Sequence, residues 1–228
     1  RDVERSRGLG DVYKRQHCIH SCPFGAIGSK TFVVDIINDM LAGKPVYAMV
    51  APATEGQFGK DISMTSIREA LKKIGFKDMI EVGLGGDMTA AAEAEEWAEA
   101  AKDGKKKTTS CCPAFVKLVK TQIPEAVDKI SETDSPMVST GRWVKEKYPN
   151  AITVFIGPCI AKKSEGREHS DIIDYVLTFE EAMCMLAGKD IKFADQPTNE
   201  FEREASKLGL GFPLTAGVTC LLYTSPSP

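Results

Sequence analysis

The sequence has no run of 18 apolar residues, so no segment of it is expected to cross a membrane as a helix. No apolar core follows the charges of Arg1-Asp2-Val3-Glu4-Arg5, so that start is not expected to act as a secretory signal. There is no excess of positive charge either: 29 basic residues stand against 32 acidic ones, for a formal net charge of −3. A protein that grips a phosphate backbone is normally basic, so nucleic acid is not an expected partner. Nor is there the low hydrophobicity of a disordered chain, because 43% hydrophobic and 27% charged residues are ordinary for a packed protein. What the sequence does contain is seven cysteines. Without an export signal these point to a cytoplasmic protein with reduced thiols and metal or redox chemistry, rather than a disulfide frame.

The 228 residues suffice for one large domain or two small ones. The two ends look unlike the rest. RDVERSRGLGDVYKRQ, residues 1–16, has no apolar periodicity, and LLYTSPSP closes the chain on prolines and serines. Both resemble translated sequencing adapter; the plainer alternative is a pair of disordered tails. Neither is expected to belong to the fold.

Between them, short apolar runs alternate with helical patterns. Val46 to Ala51 reads as a buried strand ended by Pro52. Met64, Ile67, Ala70, Leu71 and Ile74 recur at helical spacing, with Ser66 and Glu69 as a capping box and Gly75 as the left-handed stop. Met79 to Val82 reads as a strand, and Asp87 as the cap of an alanine-rich helix running to Lys102. Thr108 to Ser110 reads as a short strand, with a helix beginning at Pro113. Ala151 to Ile156 and Asp174 to Thr178 read as strands, and Phe179 to Leu186 as a helix. Residues 131–150, rich in Ser, Thr and Pro, could join two lobes. This alternation predicts an α/β fold, mostly parallel.

Two phosphate-binding motifs fail. Gly83-Leu84-Gly85-Gly86 sits where a dinucleotide loop would, but the third glycine of G-x-G-x-x-G falls on Met88. Gly59-Lys60-Asp61 lacks both the first glycine and the Ser/Thr of a P-loop. Lys105-Lys106-Lys107 reads as a solvated charge run.

The cysteines carry more. Cys111 and Cys112 precede the Pro113 helix, and Cys159 follows Pro158 at the carboxyl end of the strongest strand. Ligands of open α/β sheets gather at such ends. Adjacent cysteines do not readily bridge each other, so one can ligate while its neighbour faces a different partner. A lone cysteine would more simply be a small core hydrophobe, which is the reading for Cys184. Cys18 and Cys22, in HCIHSCPFGAI, form the second half of the C-x-x-C-x-x-C-x-x-x-C-P run of bacterial iron–sulfur proteins. His17 and His20 raise zinc as an alternative, but the spacing fits no usual zinc site. Cys220 is assigned no role.

Thr109-Ser110-Cys111-Cys112-Pro113-Ala114-Phe115 and Gly157-Pro158-Cys159-Ile160-Ala161-Lys162-Lys163-Ser164-Glu165, in that order, resemble the first two active-site motifs of the iron-only (FeFe) hydrogenases. Phe115, Met137 and Gly157 stand where the best-known members have Trp, Gln and Met, which points to a less-studied branch. The resemblance covers about residues 17–219. It implies a reversible reduction of protons to dihydrogen at the H-cluster, a 4Fe–4S cubane joined through a cysteine to a diiron unit with carbonyl, cyanide and a bridging dithiolate. By the same resemblance Cys112 and Cys159 are cubane ligands, soft donors suited to iron–sulfur. Cys111 is the proton donor, and Lys162 hydrogen-bonds a cyanide. Ala51, Pro52, Ser135 and Pro158 belong to the cofactor pocket. Glu93, Ser131 and Glu96 would form the proton path, the two glutamates lying three apart on one helix face; read without the motif, they would be solvated glutamates on an alanine-rich helix. Cys18 and Cys22 would hold a further 4Fe–4S cluster, with ferredoxin as electron partner and H-cluster maturation proteins as assembly partners.

The expected organisation is then a non-native leader at 1–16, a partial ferredoxin-type segment at 17–44, a first lobe at 45–150, a second lobe at 151–219, and a non-native tail at 220–228, with the cleft between the lobes. The family's third motif, carrying the last two cubane cysteines, would follow Gly211 to Val218, and Cys220 does not fit it. The chain is therefore expected to be truncated before that motif, and inactive as written. Two rival readings stand beside this one: a non-catalytic hydrogenase-like iron–sulfur protein of cluster assembly or sensing, and a plain electron-transfer protein. The latter leaves the Cys-Cys-Pro and Pro-Cys segments unexplained.

Overall fold

The computed structural model describes residues 23–24, 28–59, 61–197 and 205–212. Among these, β1 (Val46–Val50), β2 (Asp78–Glu81), β3 (Ile152–Gly157) and β4 (Tyr175–Thr178) form one parallel sheet in the order β2-β1-β3-β4. Every residue of β1 is buried, as a central parallel strand covered on both faces requires. The strand's period of two divides its side chains. Val46, Ala48 and Val50 join a core with Ile67, Leu71, Val154, Ile156 and Leu186, while Tyr47 and Met49 join a second core with Val138, Val144, Phe155 and Ile173. Strands from both expected lobes, 45–150 and 151–219, share this sheet, because β3 pairs directly with β1.

The first core is closed by helices α1 (Val33–Leu41), α2 (Met64–Ile74) and, C-terminal to β4, Phe179–Gly188. Helix α2 is capped by Ser63, whose Oγ accepts from Ser66 N at 3.1 Å; the expected Ser66–Glu69 box does not form. Ser66 is instead buried and donates to Pro197 O. Gly75 ends the helix at φ 132°, as expected of its left-handed stop.

On the opposite face, α3 (Gly83–Lys102) begins four residues before Asp87. The glycines that imitate a dinucleotide loop are the first turn of this helix, and they let it press against its neighbours. A Cβ on Gly85 would lie 2.1 Å from Pro136 O. Asp87 does not cap α3 but accepts hydrogen bonds from Ser206. Thr108 to Ser110 is not a strand: Thr108 makes an isolated parallel bridge to Ile130 and the chain then runs into α4 (Pro113–Gln122). Residues 131–150 are largely a helix rather than a linker. Ser135 caps α5 (Pro136–Lys147), Pro136 occupies its first turn, and Met137, Val138 and Val144 turn inward. The short helix α6 (Lys162–Glu168) follows β3, and the helix at Phe179–Gly188 is α7, opened by a Thr178–Glu181 capping box. A last turn of helix, α8 (Lys207–Leu210), packs on α3 through Gly83 and Gly86.

Candidate active site

The site is built from loops at the carboxyl ends of β1 and β3, together with the loop ahead of α4. Ala51 N donates to Ile156 O at 2.9 Å, which holds the two strand ends together. Gly157 makes that approach possible, since a Cβ there would meet the Phe155 ring at 2.7 Å and Ala51 Cβ at 3.3 Å. Ala51 is buried, Pro52 half-buried and Pro158 exposed.

Lys162 joins three separate segments. Its Nζ donates to Cys111 O at 3.1 Å, to Ser135 Oγ at 3.2 Å and to Glu165 Oε2 at 2.5 Å. Its backbone N donates to Cys159 O at 3.2 Å. The Cys-Cys-Pro loop and the start of α5 are thus drawn onto the ammonium of a residue whose backbone N–H bonds the Pro-Cys loop. Glu165, which sequence reasoning did not single out, is the anion that holds it. The spacing of three on a helix was a legible signal for that pair.

Cys112 is exposed at the start of α4, and Cys159 is half-buried. Two thiols offer soft donors of the kind iron–sulfur clusters take. Among the described residues no group of three or more His, Cys, Asp or Glu could hold a metal ion, so the donor chemistry fits while the ligand set is partial. Cys111 is half-buried. Burial pushes its thiol pKa up, helped by the Glu93 charge and opposed by a hydrogen bond from Thr109 and by Lys162. Cys18 and Cys22 lie outside the described residues. Cys184, expected in the core, is exposed on α7, because Ala182, Met185 and Leu186 supply that helix's inner face.

From Cys111 a line of polar groups runs outward along α3. Glu93 is fully buried, and its Oε1 accepts from Thr109 Oγ1 at 2.8 Å and from Ser110 N at 3.1 Å. Its Oε2 is buried without a hydrogen-bond partner among the described residues. Burial raises the Glu93 pKa, outweighing its hydrogen bonds, and the nearby Glu96 charge adds to the rise. The Ser131 hydroxyl opposes the rise at Glu93 and donates to Glu96 Oε2 at 2.5 Å. Glu96 also meets Lys107 Nζ at 2.9 Å. Partial burial works to raise Glu96, but Ser131 and Lys107 together leave its pKa lowered. Thr109 and Ser110 thus tie Glu93 to the loop that carries Cys111, and one helical turn away Ser131 bonds Glu96. Sequence reading passed over two of their neighbours. Thr109 stood inside the cysteine motif, whereas Lys107 was hidden in a charge run whose first member, Lys105, is indeed exposed.

A family model described as iron only hydrogenase large subunit, C-terminal domain, matches residues 44–225. Among curated proteins, the chain is 29% identical over 223 residues to iron hydrogenase 1 of Clostridium pasteurianum, covering 86% of this chain and 39% of that protein. It is 27% identical to the NADP-reducing hydrogenase subunit HndD of Solidesulfovibrio fructosivorans, covering 81% and 37%. It is 31% identical to the periplasmic Fe hydrogenase large subunit of Nitratidesulfovibrio vulgaris, covering 74% and 46%. The chain thus spans less than half the length of these relatives. An apo FeFe-hydrogenase variant from Chlamydomonas reinhardtii shares the fold at a TM-score of 0.68 and 20% identity, over 76% of this chain and 52% of that one. A structure concerned with oxygen damage to the diiron part of the H-cluster gives 0.67 and 22% over the same shares. Among the described residues no helix is long and apolar enough to cross a membrane.

Proposed function

The chain belongs to the family formed by the C-terminal domain of the iron-only hydrogenase large subunit, and we propose that it forms part of an enzyme interconverting protons and electrons with dihydrogen. One observation carries the reading: a single ammonium group, Lys162 Nζ, reaches both Cys111 O and Ser135 Oγ, so the two cysteine motifs and the α5 cap share one locus.

Cys112 and Cys159 would hold the cubane as thiolates, and the remaining ligands would come from polypeptide outside these 228 residues. When bound, the H-cluster supplies the electrons and the metal site for the reaction. The chain's own residues do the rest. Lys162, held by Glu165, offers a charge-assisted hydrogen bond to an anionic cyanide. Ala51, Pro52, Ser135 and Pro158 wall the pocket. Cys111 Sγ holds the proton nearest the reacting centre, and Glu93, Ser131 and Glu96 pass protons along α3. Burial raises the pKa of Glu93, so its carboxyl can give and take a proton more readily than a solvated one. Cys18 and Cys22 would hold a further 4Fe–4S cluster receiving electrons from ferredoxin, in the cytoplasm, after loading by maturation proteins. Retention of Cys111 and Lys162 favours catalysis over a sensing or assembly role.

The test loads the uninterrupted gene product with iron, sulfide and a synthetic diiron complex, beside the 228 residues treated the same way. The long form should develop carbonyl and cyanide infrared bands and evolve dihydrogen from a reduced ferredoxin, and the short form should evolve none. Robust evolution by the short form refutes the ligand assignment. A loaded long form without activity refutes the hydrogenase reading.

A further inference from the structure

Lys162 and Lys163 are neighbours in the second cysteine motif and serve different sides of it. Successive residues of a helix do not share a face, so α6 turns the two ammonium groups apart. Lys163 is buried, and its Nζ donates to Ser29 Oγ at 3.0 Å, to Lys30 O at 2.8 Å and to Glu181 Oε1 at 2.7 Å. An ammonium has three protons to donate, and each has a partner here. Two of the three partners belong to one short stretch of chain. Residues 28–31 are exposed and belong to no helix or strand, and among the described residues no backbone-to-backbone hydrogen bond ties them to the sheet or its helices. Glu181 keeps Lys163 aimed, because its Oε2 accepts from Thr178 N at 2.8 Å and so fixes the carboxylate at the start of α7. Ser29, Lys30 and Lys163 line one cleft with Ser110, Pro113 and Ile160, the residues beside Cys111, Cys112 and Cys159.

We propose that Lys163 is a positioning residue that clamps the segment following Cys18 and Cys22 onto the helix after the Cys159 loop, and so fixes the upstream iron–sulfur cluster relative to the H-cluster locus. The assignment rests on the hydrogenase reading and on that upstream cluster. Electron transfer between two clusters weakens steeply as they separate, so a segment that bears one of them must be held and not merely tethered. Lys163 takes no part in the bond changes. It acts through the Lys30 carbonyl and the Ser29 hydroxyl. A buried ammonium suits this task better than an apolar contact. Directional hydrogen bonds seat the segment in one geometry, and lifting it away would leave the charge under-satisfied beside Glu181.

Trypsin reads the clamp directly, since the Lys30 carbonyl that Lys163 holds belongs to the bond trypsin would cut. In the uninterrupted protein, Lys163→Met should be cut after Lys30 about tenfold faster than wild type, followed by mass spectrometry of the first fragments. Loaded with the cluster, the variant should keep the carbonyl and cyanide bands. It should also keep the exchange of dihydrogen with heavy water (H₂ + D₂O → HD + HDO), which needs no electron from outside. Its dihydrogen evolution from reduced ferredoxin should fall severalfold in kcat, with KM for ferredoxin unmoved. Lys163→Met leaves Glu181 without this cation, so Lys163→Met/Glu181→Gln serves as a second form if the first fails to fold, and the same split is expected of it. An unchanged rate of cutting at Lys30, or evolution and exchange falling by the same factor, overturns the role of Lys163. A Cys22→Ala variant that evolves dihydrogen from ferredoxin as fast as wild type overturns the upstream cluster, and the proposal with it. A loaded wild type that neither exchanges nor evolves dihydrogen overturns the hydrogenase reading, and the tryptic rates then still decide whether Lys163 holds the segment.

Discussion

Glu93 and Glu96 are the same residue type on the same helix, one turn apart, and their surroundings push them in opposite directions. The inner one is sealed and, among the described residues, meets no cation and has one carboxylate oxygen with no hydrogen-bond partner, so its pKa rises. The outer one is partly open, and a hydroxyl and an ammonium outweigh its desolvation, so its pKa falls. A helix with 3.6 residues per turn can therefore set a reluctant anion beside a willing one on the same face. The difference comes from what the 107–111 and 130–135 segments bring to that face, not from the helix itself. Proton transfer needs such a gradient, and altering its two ends separately tests whether this one is used.

The largest effect is expected at the inner end. Glu93→Gln keeps an acceptor for Thr109 and Ser110 but cannot exchange a proton, so dihydrogen evolution in the loaded, uninterrupted protein should fall about 10²–10⁴-fold. Glu96→Gln should cost less, because water can reach the outer end. Stability should change in the opposite sense. A carboxyl whose folded pKa is raised stabilises the fold fully below its unfolded value, near 4.5, and that contribution is lost as pH rises through the folded value. Glu93→Gln should thus match wild type in acid and unfold at a higher temperature than wild type once pH exceeds that window. Thermal melts across pH measure it, and parallel curves would remove the evidence for a buried, reluctant acid.

How much of this contrast was visible in the sequence varies with the kind of cause. The strands β1, β3 and β4 were legible because their apolar runs are short, β-branched and bounded. The start of α4 was legible because Pro113 suits a first turn. The start of α3 was not: four residues rich in glycine discourage a helix locally, and the reason for them lies in distant contacts, of Gly83 with Leu210, Gly85 with Pro136 and Gly86 with Gly209. The Ser, Thr and Pro of 131–150 looked like a linker, since a cap and a first-turn proline share their composition with loops. At the site, the cysteine motifs and both glutamates were legible through motif order. The opposite shifts were not, because Thr109, Ser131 and Lys107 reach α3 across 16, 35 and 11 residues of chain and no local pattern records that.

Ser131 stands between the two ends and acts on both. Ser131→Ala removes the donor that Glu96 Oε2 receives at 2.5 Å and also the hydroxyl that tempers Glu93. Both carboxyl pKa values should therefore rise. The loss in dihydrogen evolution should be roughly tenfold, smaller than at Glu93, because a water can enter the space left by a hydroxyl. Stability should drop by about 1 kcal/mol, the net worth of one such hydrogen bond. Urea denaturation together with carboxyl infrared bands of the two variants distinguishes this from a change confined to Glu96: if the Glu93 band stays where it is, Ser131 serves the outer end alone.

The smallest effect is expected at Lys107, and it sharpens the contrast from outside. Lys107→Met removes the cation 2.9 Å from Glu96 while leaving Ser131 in place. Both members of the pair are partly exposed, at 18% and 23%, so solvent and salt already screen it. The sign is nevertheless fixed. Glu96 has a depressed folded pKa, so it contributes stability above its unfolded value of about 4.5 and loses it as pH falls through the folded value. Without Lys107 the folded value climbs back towards the unfolded one, and the variant should lose less stability on acidification than wild type does. Raising the salt concentration should make the two proteins converge. At the inner end nothing should change: among the described residues Glu93 touches no lysine, so its carboxyl band and the alkaline side of the stability curve should match wild type. A Lys107→Met variant that shifts the Glu93 band would mean that the two glutamates titrate as a coupled pair rather than as two ends of a gradient.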